Sequence, residues 1–139
     1  MDRKERVARL VDHSKNPRHS GTLDDADAMM PGGSPECGGS VVVYIKGDGD
    51  LIENLSFTGD GDTISMGAAS MIVEKTLSEN LTMEEVLALD YDEWVDSIGR
   101  DIVGSRTRNA TMGLSTLKSA IRKYRRDRMR GERPEAEAV

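Results

Sequence analysis

The chain has 139 residues, 37% of them apolar and 32% charged, with a formal net charge of −6. That length leaves room for one compact domain with one core, and the acidic balance argues against general affinity for nucleic acid. A single cysteine excludes an internal disulfide, and no apolar stretch is long enough for a signal peptide or a membrane span, so the expected location is the cytoplasm.

Residues 2–14, DRKERVARLVDHS, place Val7, Leu10, Val11 and Ser14 at helical spacing behind Asp2, a natural N-cap, and predict a short amphipathic helix. The next stretch, residues 15–36, carries three of the four prolines and no sustained period, which predicts an extended or looped course. Loops of that length are usually functional or disordered. SVVVYIK (40–46) and LIENLSF (51–57) are β-rich runs separated by Gly-Asp-Gly-Asp chemistry, an antiparallel hairpin signal. Two strands alone are marginal in water, so a third is expected from the 22–36 segment.

The period then changes. In DTISMGAASMIVEKTL (62–77), Ile64, Ala68, Met71, Ile72 and Leu77 form a helical stripe, with small residues at 67–70 allowing close approach to a sheet and Asp62 placed as N-cap. LTMEEVLAL (81–89) opens with a capping box, Thr82 and Glu85, and residues 90–99 fit a further short helix ending in glycine. From about Asn109 to Arg130, Leu114, Leu117, Ile121 and Tyr124 repeat by three and four. The basic second half of that helix suits the negative end of its dipole. Residues 1–130 are thus expected to form a single domain, and residues 131–139 a flexible tail.

Cys37 stands between a Pro-Glu step and two glycines, just ahead of the first β run. As a residue it admits three readings: metal ligand, nucleophile, or small residue that fits a tight loop. No histidine or other base can be placed beside it from the sequence, so nucleophilic enzyme catalysis fits poorly and a non-enzymatic role is expected. His13 and His19 lack metal-binding spacing and read as structural. Asp60 reads as a solvated turn residue, Asp62 and Asn109 as helix caps in the absence of other information, and Arg106 and Arg108 as solvated surface.

The order of motifs adds to this. LVDHSKNPRHSGTLDDAD, then PECGG and a hairpin, then FTGDGDTISMGAASMIVE, then RTRNATMGLSTLKSAIRKY, together resemble the iron–sulfur cluster scaffold family of the IscU and SufU type, also found at the N-terminus of NifU. The similarity covers about residues 7–126. It implies an α+β fold: a three-stranded antiparallel sheet packed on one face by helices, with a long C-terminal helix.

In that family three cysteines and a carboxylate or histidine converge at one exposed end and hold zinc or a [2Fe–2S] cluster. By resemblance the first cysteine is Cys37, while the second falls on Asp62 and the third on Asn109. The aspartate usual two residues after the first cysteine is Gly39 here. The insertion that marks the zinc-containing SufU branch and the LPPVK-like chaperone motif of the IscU branch are both absent, so no branch is assigned.

The implied metal ligands are Cys37, Asp62 and Asn109, with Arg106 and Arg108 in support. One thiolate, one carboxylate and one amide form a hard-leaning set for iron or zinc. The expected cofactor is therefore a labile [2Fe–2S] cluster or an iron or zinc ion, shared between two monomers through two Cys37 thiolates, or none. The implied function is that of a divergent assembly scaffold or sulfur acceptor, receiving sulfur at Cys37 from a cysteine desulfurase and serving cluster-accepting proteins. Two alternatives stand beside it: a metal-free regulatory or docking module, and an accessory subunit docking through its basic C-terminal helix.

Overall fold

The computed structural model of the protein describes residues 1–34, 36 and 38–130. Cys37 and the expected tail at 131–139 lie outside the described residues. The elements follow in the order α1 (Arg3–Lys15), β1 (Ala28–Ser34), β2 (Gly39–Asp48), β3 (Leu51–Gly61), α2 (Thr63–Ser78), α3 (Met83–Leu87), α4 (Tyr91–Ile98), α5 (Arg100–Val103) and α6 (Thr107–Met129).

The strands form one antiparallel sheet in the order β1-β2-β3, with β1 drawn from the segment expected to supply it. Along β2, Val41, Val43 and Ile45 are buried while Ser40 is exposed and Val42 and Tyr44 are only half-buried. This period-two pattern assigns one face to the core. Helix α6 covers that face over β1 and β2, α2 covers it at β3, and α1 packs on the far side of α2. Ile45, Leu55, Ile72, Leu114 and Leu117 are completely buried at the junction. Each such side chain contributes about 2–3 kcal/mol by leaving water. The two central helices approach closely because Gly113 has no side chain: a Cβ there would lie 2.8 Å from the Ala69 Cα.

Asp2 caps α1 in a reciprocal capping box with Glu5, and Thr82 caps α3 with Glu85 as the sequence predicts. Helix α3 starts at Met83, directly after the Thr82 cap, and Ala88 closes it. The long segment after α1 is a strap. Gly21 donates to the Phe57 carbonyl and the Phe57 N–H donates to the His19 carbonyl, which closes the outer edge of β3. An edge strand is thereby shielded from pairing with other chains. The Ser56 hydroxyl donates to the Gly21 carbonyl, and the strap runs on to Asp27, whose N–H donates to Ile45.

The buried face of α1 consists of Leu10 and His13. His13 Nδ1 lies 2.8 Å from Ser70 Oγ, and the same hydroxyl accepts the Arg18 N–H at 2.8 Å. Ser70 therefore ties both α1 and the strap to α2. Burial lowers the His13 pKa from its ordinary 6.5, the nearby Arg18 charge adds to this, and Glu74, 3.5 Å from Nε2, opposes it. A base with a lowered folded-state pKa binds fewer protons when folded than when unfolded between that pKa and 6.5. Stability is thus complete above pH 6.5 and is lost as pH falls through the folded-state value. Denaturant titrations across pH 5–7.5 should show this decline, and His13→Gln should flatten it while lowering stability at pH 7.5.

Candidate functional site

Three chain segments meet at one end of the sheet. The first is the start of β2, where Gly38 has φ +90° and Gly39 pairs with Gly61 at the end of β3. The second is the N-terminus of α2, capped by Asp62, whose own N–H donates to the Gly38 carbonyl at 2.9 Å. The third is the N-terminus of α6. Its first turn is held by Trp94, whose indole N–H donates to the Ala110 carbonyl at 3.1 Å.

Asp62 uses both carboxylate oxygens. Oδ1 accepts the Ser65 N–H at 2.8 Å, the N-cap bond, while Oδ2 accepts the Asn109 amide N–H at 2.9 Å and an Arg106 guanidinium N–H at 3.3 Å. A hydrogen bond to a charged acceptor in a partly shielded position contributes about 1.5–3 kcal/mol. The Arg106 pair is weaker: that side chain is 59% exposed, and such pairs contribute about 0–1 kcal/mol. The amide bond is thus the main tie between α2 and α6 at this end.

Asp62 is the cap the sequence predicts, but Asn109 is not a cap. Helix α6 begins at Thr107, Arg106 holds the N-cap position without a capping side-chain bond, and Asn109 is the third helical residue, free to turn its amide on Asp62. Asp60 lies within β3, not in a turn, and is exposed. Arg106 and Arg108 line an open depression with Glu36, Gly38, Asp62 and Asn109. Among the sequence-predicted site residues, Asp62, Asn109, Arg106 and Arg108 come together there, and Cys37 lies outside the described residues. His13 is in the core. In the basic end of α6, Arg125 pairs with Asp50 and Glu84, and Arg128 donates to the Tyr124 hydroxyl, so part of that charge is already partnered within the chain.

Gly38 is the site residue that the sequence reading passed over. A Cβ on it would lie 2.1 Å from Asn109 Nδ2 and 3.0 Å from Asp62 Oδ2. Its signal was present: a glycine directly after the lone cysteine and before a strand.

The described side chains are a poor fit for a metal ion. Asn109 directs N–H, not a lone pair, into the site, both Asp62 oxygens are engaged, and a guanidinium already neutralises the carboxylate. Among the described residues no cluster of three or more His, Cys, Asp or Glu side chains could hold a metal, and no helix is long and apolar enough to cross a membrane.

The profile of the NifU-like N terminal domain family matches residues 5–130. The zinc-dependent sulfurtransferase SufU of Bacillus subtilis is 33% identical over 96 residues, 63% of this chain and 65% of that protein. The iron-sulfur cluster assembly scaffold protein IscU of Streptococcus pyogenes is 39% identical over 83 residues, 60% of this chain and 50% of that protein. The alignments thus span about half to two thirds of these relatives. The crystal structure of a NifU-like N-terminal protein from Brucella abortus superposes with a TM-score of 0.72 at 16% identity, over 85% of this chain and 92% of the other, and shares the fold.

Gly38→Ala is expected to lower stability by about 2 kcal/mol or more, because φ is positive and the added carbon meets the Asn109 amide. Denaturant melts measure this. Arg106→Ala should cost less than about 1 kcal/mol.

Proposed function

Because the chain belongs to the NifU-like N-terminal domain family, we propose that it serves iron–sulfur cluster assembly as a sulfur acceptor, with Cys37 carrying the sulfur. The observation that supports this is the meeting of three segments beside Gly38, the residue after Cys37, in an open depression that carries two arginines. One relative is named a zinc-dependent sulfurtransferase and the other an iron-sulfur cluster assembly scaffold protein, and a sulfur acceptor in cluster assembly is compatible with both names.

The chemistry requires a thiolate. Arg108, together with the positive end of the α6 dipole, favours the charged form of a thiol placed beside it, while the Arg106 charge is shared with Asp62. The Cys37 thiolate attacks the terminal sulfur of a donor persulfide, R–S–SH. The donor S–S bond breaks, a new S–S bond forms, the proton stays on the transferred sulfur, and the donor leaves as R–S⁻. No external oxidant or reductant is needed. A cysteine desulfurase in the cytoplasm is the fitting donor, and a cluster-accepting protein the destination. Residues 1–130 would act as one carrier domain, alone or as a pair, holding sulfur stoichiometrically without turning it over as an enzyme. Asp62, Asn109 and the two arginines would support the Cys37 loop, not ligate metal.

Incubated anaerobically with a cysteine desulfurase and cysteine, the protein should gain one sulfur atom on the Cys37 peptide by mass spectrometry, and Cys37→Ser should gain none. Reversing both charges, Arg106→Glu with Arg108→Glu, should slow alkylation of Cys37 at pH 7 by roughly threefold to tenfold. No added sulfur on the wild-type protein, under conditions that load another acceptor, would remove this reading.

A further inference from the structure

We propose that Asp62, Asn109 and Arg106 take the place of a metal centre in this chain, tying the N-termini of α2 and α6 together with no bound ion. The tie goes beyond the sulfur reading, since it holds whether or not Cys37 carries sulfur.

The polar atoms of the cluster are largely engaged by one another. Asp62 Oδ1 accepts the Ser65 N–H as the N-cap bond and keeps one lone pair, so it could offer an ion a single contact while held in the cap geometry. To ligate through Oδ2 it would give up the Asn109 amide and bring a cation against the Arg106 guanidinium, whose nitrogen is 3.3 Å from that oxygen. Two positive charges at such a separation repel, and partial burial strengthens the repulsion. Asn109 fares no better. Its Nδ2 bears hydrogens and has no lone pair to offer, and turning the amide over would set Oδ1 against the Asp62 carboxylate, acceptor facing acceptor.

An added carbon on Gly38 would lie 2.1 Å from the Asn109 nitrogen, so the amide fills the ground between the Gly38 backbone and Asp62. A donor, an acceptor and a balancing cation are all supplied by the chain. The hydrogen bonds supply the link between the helix ends, and the guanidinium the positive charge, that a metal ion would supply on drawing anionic ligands to one point. The two helix ends are thereby placed by hydrogen bonds that do not depend on metal supply.

The test compares metal content and thermal stability of the full-length protein, purified anaerobically and desalted, with zinc sulfate or a chelator added. The wild-type protein should carry far less than one equivalent of zinc or iron, and its melting temperature should move with neither zinc nor chelator. Asn109→Ala should melt about 4 °C lower and stay chelator-insensitive. The double variant Asp62→Cys with Asn109→Cys should gain an equivalent of zinc with Cys37, melt higher with zinc and fall with chelator.

Three results would overturn the proposal. The first is stoichiometric metal on the wild-type protein that Asp62→Ala or Asn109→Ala removes. The second is an Asn109→Ala melting temperature equal to wild type, and the third is a folded double variant that takes up no zinc. None of these readouts involves sulfur loading, so they separate this proposal from the one for Cys37.

Discussion

Helix α2 has no side facing solvent along residues 65–73, all of which are buried. The sheet, α6 and α1 surround it, and the small residues Gly67, Ala68, Ala69 and Ser70 let all three approach. A helix confined on every side cannot slide or rotate without opening voids, and densely packed interiors resist even a methylene's worth of change. Its N-terminal residue therefore has a fixed place. Asp62 is that residue, and the site is arranged around it.

Confinement of α2 also accounts for the polar atoms found within the core. Ser70 points out of the helix into the α1 contact, where His13 and the Arg18 backbone converge on its hydroxyl. Thr76 returns its hydroxyl to the Ile72 carbonyl. These two hydroxyls are satisfied locally or by a neighbour wedged against them, since an unpaired one costs about 1–3 kcal/mol, whereas the buried Ser65 hydroxyl in the first turn of α2 has no hydrogen-bond partner. The strap after α1 follows from the same contact. With Arg18 fixed to Ser70, the chain leaves α2 beside β3, and Gly21 closes that edge before the strap crosses to β1.

Much of this fold was legible in the sequence. The hairpin showed in Gly-Asp-Gly-Asp, the caps in Asp2, Asp62 and Thr82, and α6 in the spacing of Leu114, Leu117, Ile121 and Tyr124. These are local signals, carried by residues that act on their own backbone or face. What escaped was set by contacts distant in sequence. His13 reads as structural, but the partners that make its burial tolerable, the Ser70 hydroxyl 57 residues away and Glu74, are set by the packing of α1 on α2. Asn109 reads as a cap because amides favour that position. Its carboxylate partner lies 47 residues earlier, and no local rule links them. The resemblance had placed both residues at one site, but their chemistry toward each other depended on the geometry of two helix ends.

Asp62 and Asn109 make sense as a pair and not separately. A carboxylate at the end of α2 is stabilised by the helix dipole and by Ser65, yet its second oxygen faces Gly38 and the start of α6 and needs a donor there. A second carboxylate at position 109 would repel it. A thiol would donate weakly, and as a thiolate would add a second negative charge requiring a cation. The amide supplies a strong donor without charge, and Arg106 balances the one charge that remains. A site of several thiolates accumulates negative charge that only a bound cation relieves, so its geometry follows its metal. With a carboxylate, an amide and a guanidinium, the charge is balanced within the chain and the geometry follows the fold. Cys37 is then the one thiol in the chain, with no second thiol to complete a set of sulfur ligands.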